Sequence, residues 1–181
     1  MKKVIIGGLV GGILLFAWQT VSWTVANLHD KGQQYTDKQD SVLSALASIG
    51  LEEGSYMIPR EKPGASFEEM QKAGEQMTGK PWARISYYKS WNANMGMNMA
   101  RGLIANIIIV SLLCWIFSNI GSQGFSTYFT ASIFVGLICF TNGPYTGHIW
   151  YPLHDIRAFF IDAIASWGIV GLWLGWWMSK K

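Results

Sequence analysis

Four long apolar runs dominate the hydropathy pattern of the chain, at about residues 4–28, 101–120, 125–142 and 157–178. A helix needs about 20 apolar residues to cross about 30 Å of hydrocarbon. Each run is close to that length and holds few charged side chains. The pattern therefore predicts an all-α membrane protein with four transmembrane helices.

The polar stretch between the first two runs, residues 29–100, predicts a small α+β cap. Helical patterns cover about residues 36–50 and 66–77, the second opened by a Ser66–Glu69 capping box. Residues 54–59 and 82–89 are prone to form strands, and we expect them to pair. The predicted organisation is one helix over 1–28, the cap over 29–100, and a three-helix membrane region over 101–181.

The first run has features of a signal anchor and not of a cleaved signal peptide. It is longer than the apolar region of a signal peptide and includes Trp18, Gln19 and Trp23. Lys2 and Lys3 precede it, and the chain ends in two further lysines. By the positive-inside rule we expect both termini to be cytoplasmic. Residues 29–100 and the turn at 143–156 then lie outside a bacterial cytoplasmic membrane.

Composition narrows the classes of function. The net charge of +3 is too small and too dispersed to favour nucleic acid as a partner. The ten tryptophans suit a protein that contacts membrane interfaces. The two cysteines, Cys114 and Cys139, lie in apolar runs and predict neither a disulfide framework nor a zinc site.

Polar side chains at a similar depth in the four spans form the main candidate site. This predicted polar layer comprises Gln19, Ser22, Asn106, Asn142 and Asp162. An ionisable group inside a span points to function by default, because lipid offers it no partner. We expect Arg157 or the Asn106 amide to satisfy Asp162. The alternative is a purely structural hydrogen-bond hub that orients the 143–156 turn.

Three histidines are expected near the same membrane face. His29, His148 and His154, with Asp155, are candidate ligands for a metal or small molecule. Their spacing matches no zinc signature, and no complete catalytic set is present in the sequence. We therefore predict no bound metal or cofactor and assign no catalytic residue.

Two sets of glycines predict close helix packing by small-residue seams. They are Gly7, Gly8, Gly11 and Gly12 in the first span, and Gly168, Gly171 and Gly175 in the last. The favoured interpretation for the first set is packing inside the bundle. The alternative is a docking surface for another protein.

Several short motifs resemble those of a group of small bacterial four-helix membrane proteins with no assigned function. They are Trp18 with Trp23, residues 54–59, residues 149–152, and Asp162 with Trp167 and residues 171–173. The resemblance implies the same four-helix topology. It implies no activity, cofactor or catalytic residue.

From these observations we predict a non-enzymatic membrane protein, an accessory or assembly subunit of a larger bacterial membrane complex. Its expected partners are membrane lipids and other membrane-protein subunits. The alternative is a binding or transport protein for a small molecule, quinone or lipid, with a polar cavity around Asp162. A third hypothesis is a membrane enzyme that acts on lipid or envelope material with a histidine as base.

Overall fold

The computed structural model describes residues 1–180, which form two compact units. One unit joins residues 1–34 to residue 94 and those that follow, and the other is residues 35–93. The helices are α1 (Lys2–Thr20), α2 (Gln39–Ser48), α3 (Phe67–Met77), α4 (Met95–Asn119), α5 (Phe125–Phe140), α6 (Thr146–Trp150) and α7 (Ile156–Ser179), and the strands are β1 (Gly54–Ile58) and β2 (Ala83–Tyr87).

Four helical stretches are long and apolar enough to cross a membrane, which confirms the four predicted helices and suggests a multi-pass membrane protein. Their bounds are Lys2–Val25, Met95–Asn119, Phe125–Trp150 and Ile156–Ser179. The second begins six residues earlier than predicted. Asn94 explains this start, because its side-chain oxygen accepts a hydrogen bond from the Met97 amide at 3.0 Å and caps the helix.

The third stretch corrects the predicted turn at 143–156. The helix continues beyond Phe140 through a π-helical turn, Thr141–Tyr145, directly into α6. Proline normally ends a helix because it has no amide proton. Here the wider π-turn accommodates Pro144, and the Thr146 hydroxyl donates to the Thr141 carbonyl at 2.7 Å. The connection to α7 is therefore limited to residues 151–155.

The four long apolar helices pack in a row. α4 lies on α1, α1 on α7, and α7 on α5, while α4 and α7 touch only slightly. Near the chain termini the row is closed by a buried cluster that includes Phe117 and Tyr128, whose rings are 4.9 Å apart. At the opposite end α4 and α5 are not packed together, and this opening accommodates the site described below.

Glycines allow the close packing within this row. A Cβ on Gly12 would lie 2.5 Å from the Ile107 Cα of α4, and one on Gly175 would lie 2.7 Å from the Phe125 ring of α5. Gly7, Gly8, Gly11 and Gly171 are similarly close to neighbouring helices. Gly168 differs, because its nearest neighbour would be Ile133 at an ordinary 3.8 Å. Both seams are thus covered by helices of the same chain.

The smaller unit contains the predicted strand pair. β1 and β2 are antiparallel, with Tyr56 opposite Ile85, and this confirms the two-stranded sheet. Ser66 and Glu69 form the capping box that begins α3. Hydrogen bonds from the Ser66 backbone and side chain hold the pKa of the Glu69 carboxyl below its usual value.

Candidate functional site: a histidine held between two aspartates

A buried histidine, His29, occupies the end of the four-helix unit where α1 ends and α7 begins. After its π-helical turn, Val21–Val25, the first helix stops, and Asn27 adopts a left-handed backbone with φ of 48°. Asparagine tolerates this conformation better than most residues. The change of direction brings His29 back over α7, where only 2% of its surface is exposed.

Both imidazole nitrogens of His29 contact carboxylates. Nδ1 lies 2.8 Å from Oδ2 of Asp155, and Nε2 lies 3.0 Å from Oδ2 of Asp162. The other oxygen of Asp162 accepts a hydrogen bond from the Trp18 indole at 3.0 Å. We call Asp155, His29 and Asp162 the triad.

Aromatic rings fix the plane of the imidazole. The Trp23 ring stacks on it with a centroid separation of 3.9 Å and an interplanar angle of 4°. Phe159 meets it edge-on at 4.6 Å. These rings help to bury the imidazole and leave its two nitrogens directed at the carboxylates.

Hydrogen bonds at both imidazole nitrogens would require a defined number of protons in the triad. Two hydrogen bonds between ring nitrogens and carboxylate oxygens need two protons. They are both on His29, between two ionised carboxylates, or one is on a carboxyl beside a neutral imidazole. The net charge is −1 in either arrangement. A triad in which both contacts are hydrogen bonds thus holds one proton more than a neutral histidine with two free carboxylates.

Asp155 has further support from its position. It precedes the first turn of α7, where the partial positive charge of the helix N-terminus favours a carboxylate. Gly32 approaches so closely that a Cβ there would lie 2.6 Å from Oδ2 of Asp155. A larger residue at position 32 would displace the carboxylate from His29.

A cavity of about 520 Å³ adjoins Asp162 and receives side chains from α1, α4, α5 and α7. Its volume lies in the usual range for small-molecule sites. Its lining is Leu15, Gln19, Trp23, Asn106, Ile109, Gly136, Cys139, Phe140, Pro144, Phe159, Asp162, Ala163, Ser166 and Trp167. Several of these residues, Cys139 among them, are also exposed at the protein surface, so the cavity opens sideways between α4 and α5.

An amide pair supplies further polar groups to the cavity. The Asn106 amide nitrogen donates to the Gln19 side-chain oxygen at 2.7 Å. In this arrangement the Gln19 amide nitrogen and the Asn106 oxygen make no hydrogen bond with another described residue. They offer a donor and an acceptor to an occupant. Asp162 is the only charged side chain in the lining.

A second pocket, of about 510 Å³, lies on the opposite side of the triad and includes Asp155. Lys31, His154 and Arg157 contribute polar side chains to it. His29 therefore connects a carboxylate in this pocket, which also contains basic side chains, to a carboxylate in the cavity, which contains none.

The structure corrects the expected partners of Asp162. Neither Arg157 nor Asn106 hydrogen-bonds it; His29 and Trp18 do. Arg157 lies in the second pocket, and Asn106 pairs with Gln19.

The remaining polar-layer candidates lie apart from the triad. Ser22 is fully buried, and its hydroxyl has no hydrogen-bond partner among residues 1–180. Asn142 is exposed on the π-helical turn and does not line the cavity.

The other two histidines do not join His29. His148 accepts a hydrogen bond from the Leu153 amide at 2.8 Å and so stabilises the connection to α7. His154 is exposed. Across the described residues 1–180 no group of three or more His, Cys, Asp or Glu side chains is arranged to hold a metal ion.

Three aromatic residues of the site, Trp18, Trp23 and Phe159, were not among the predicted site residues. The chain has ten tryptophans and nine phenylalanines, and nothing in the sequence distinguishes these three from the others. A useful signal was available for His29, which is the first ionisable residue after the uncharged first run.

Comparisons with known proteins yield no relative: no family model matches the chain, and neither a curated protein nor a solved structure does.

Proposed function

We propose that the four-helix unit is a membrane binding protein for a small amphiphile, whose polar head lies at Asp162 and whose apolar body fills the cavity. The observation that carries this proposal is a mostly apolar cavity with one carboxylate at its edge. Sites of this kind combine apolar walls with a few polar groups that orient the ligand. The opening between α4 and α5 gives access from the hydrocarbon.

The same proposal includes the location of the protein. Lys2, Lys3 and Lys180 cluster at the end where α1 begins and α7 ends, while residues 120–124 between α4 and α5 carry no charge. The positive-inside rule then favours a bacterial cytoplasmic membrane with both termini inside. The cavity would lie toward the outer leaflet, and residues 35–93 would be outside.

Cys139 provides a native reporter of cavity occupancy. It lines the cavity, while the other cysteine, Cys114, is fully buried. In lipid nanodiscs we expect dodecanol or dodecyltrimethylammonium, used as probes, to slow alkylation of Cys139 by N-ethylmaleimide. If neither probe slows it at any mole fraction that leaves the nanodisc intact, the binding proposal is wrong.

A matched pair of variants distinguishes the cavity from the lipid around it. Ile109 lines the cavity, and Ile108 is its neighbour on the lipid-exposed surface of α4. Ile109→Trp should fill the cavity and abolish protection by both probes, whereas Ile108→Trp should preserve it. Equal protection in the two variants would place the probe outside the cavity.

We also propose a role as an accessory subunit of a membrane complex, as the second candidate. The glycine seams do not support it, because both are covered within the chain. What favours it is α5, which packs mainly on α7 and exposes Phe134 and Ile138. Purification in a mild detergent tests this role: a subunit would emerge with other chains, and a lone monomer would contradict it.

The enzyme hypothesis gains no support from the geometry. A general base needs a free lone pair within reach of a substrate. Both nitrogens of His29 are occupied by carboxylates, and Nδ1 of His148 accepts a backbone hydrogen bond. His154 is exposed, but it lines the second pocket and not the cavity.

A further inference from the structure

The triad and the cavity lining together specify the chemical class of the ligand. We propose that the occupant has a cationic head, and that its binding is coupled to release of the extra proton held by the triad. This inference rests on the proposed binding function and adds the charge of the ligand and the exchanged proton.

The cavity favours a cation over a neutral or anionic head. Its charged wall is the Asp162 carboxylate, and no Lys or Arg lines it. The aromatic residues Trp23, Phe140 and Trp167 also line it. The face of an aromatic ring attracts a cation, most strongly for tryptophan and most of all where water is excluded. An anion would instead meet the net −1 charge of the triad.

The proton coupling follows from competition for the same carboxylate. Oδ2 of Asp162 interacts with a proton on Nε2 of His29, or on Asp162 itself, at a 3.0 Å separation. A ligand cation placed at Asp162 adds a positive charge beside the imidazole and so weakens the hold of the triad on its second proton. One proton leaves as one cation arrives, so the net charge of the site stays at −1.

The second pocket gives the released proton a route. The Nδ1 side of His29 contacts Asp155, which lines the second pocket with Lys31, His154 and Arg157. A proton leaving Nδ1 passes to the Asp155 carboxylate and then to water in that pocket. The Nε2 proton remains between His29 and Asp162, so the proton exits on the side away from the ligand.

The other surroundings of His29 contain few competing ionisable groups. α1 and α4 contribute none to the cavity, and α5 contributes only Cys139. Asp30 is adjacent in the chain but exposed. Besides the triad, the charged or titratable groups that face this region are those of the second pocket: Lys31, His154 and Arg157.

The test compares two probes with the same tail. Dodecyltrimethylammonium is a permanent cation with no proton of its own, and dodecanol is neutral. Protection of Cys139 is measured at several mole fractions over about pH 6 to 9, each pH normalised to a sample without probe. We expect the cation to protect at an about tenfold lower mole fraction than the alcohol.

The pH dependence has a defined sign. Since cation binding expels a proton, the apparent affinity of the site for the cation should rise with pH. For one proton the rise is at most tenfold per pH unit. The affinity of the site for dodecanol should not change with pH. Equal affinity of the two probes, or a cation affinity independent of pH, overturns this inference while leaving the binding function intact. Failure of both probes overturns the binding function itself.

Two substitutions separate the contributions of the triad. Asp162→Asn should remove the preference for the cation and retain dodecanol binding. His29→Gln should retain the preference but lose its dependence on pH. Because the two-probe comparison uses the native chain, the inference is decided even where a variant fails to fold.

Discussion

His29 determines the charge balance of the buried site, since it contacts both carboxylates. Two carboxylates near one another in a poorly hydrated region repel and lack solvation. Contact of both carboxylates with the imidazole nitrogens lowers this cost. The stacked Trp23 and the edge of Phe159 hold it in place without competing for its nitrogens.

Removal of this imidazole should be strongly destabilising. His29→Ala leaves Asp155 and Asp162 without their shared partner and opens a void beside Trp23. We expect a loss of about 3 kcal/mol, the scale for breaking a buried ion pair, in the free energy of unfolding in a mixed-micelle denaturation assay.

His154→Ala is the matched control. His154 is exposed and has no part in the triad, so its loss should change stability by less than about 0.5 kcal/mol. Equal effects of the two substitutions would show that the contacts of His29 contribute no stability.

The sequence predicted Asp162 as a key residue of the site but not the partners of its carboxylate. A carboxylate in an apolar run is visible in any sequence. Arg157, five residues earlier, was an expected partner, but five residues turn a helix by about 140° from the starting side. The actual partner, His29, is 133 positions away. Sequence spacing cannot reveal a contact of that kind without the packing of α1 on α7.

Two π-helical turns distinguish the helices that form the cavity. One, Val21–Val25, carries Trp23, and the other, Thr141–Tyr145, carries Pro144. Both of these side chains line the cavity. Such turns insert a residue into a helix and redirect its side chains, and they occur often at functional sites.

The glycine seam between α1 and α4 yields a prediction on helix packing. Gly12→Ala places a methyl group 2.5 Å from the Ile107 Cα, part of the α4 backbone, so the helices must separate. We expect the free energy of unfolding to fall by about 1–3 kcal/mol in the mixed-micelle denaturation assay.

Gly168→Ala is the matched control for Gly12→Ala, because its methyl group would meet Ile133 at an ordinary contact distance of 3.8 Å. This substitution should be neutral or stabilising by up to about 1 kcal/mol, since alanine favours helix. A Gly12→Ala protein as stable as Gly168→Ala would show that the seam is not closely packed.

The type of each element was predictable, because the periodicity and length of an apolar segment identify it as a helix. Capping signals such as Ser66 with Glu69 depend only on nearby residues and can also be read from the sequence. The end of the third helix was not predictable from the sequence. Gly143 and Pro144 usually mark a turn, and only the continued hydrogen bonding around Thr141 and Thr146 allows the helix to extend. Local breaking signals were overridden by a wider helical turn.

The orientation of the whole molecule can be measured with single cysteines. In a chain with Cys114 and Cys139 replaced by alanine, we expect a membrane-impermeant maleimide to label Ser90→Cys in intact cells. Ser122→Cys, in the connection between α4 and α5, should react only after the membrane is opened. Both serines are exposed in the structure, so access depends on sidedness. The opposite pattern would reverse the proposed topology.

The row of helices also determines how an occupant is supplied. Under the proposed binding function, a ligand would enter by lateral diffusion through the opening between α4 and α5. Its chemical potential would then be that of a solute dissolved in the bilayer. Occupancy should then follow the number of ligand molecules per lipid and not the total aqueous concentration. Diluting a vesicle suspension with buffer should leave a strongly partitioning ligand in place, whereas fusing the vesicles with ligand-free ones should remove it.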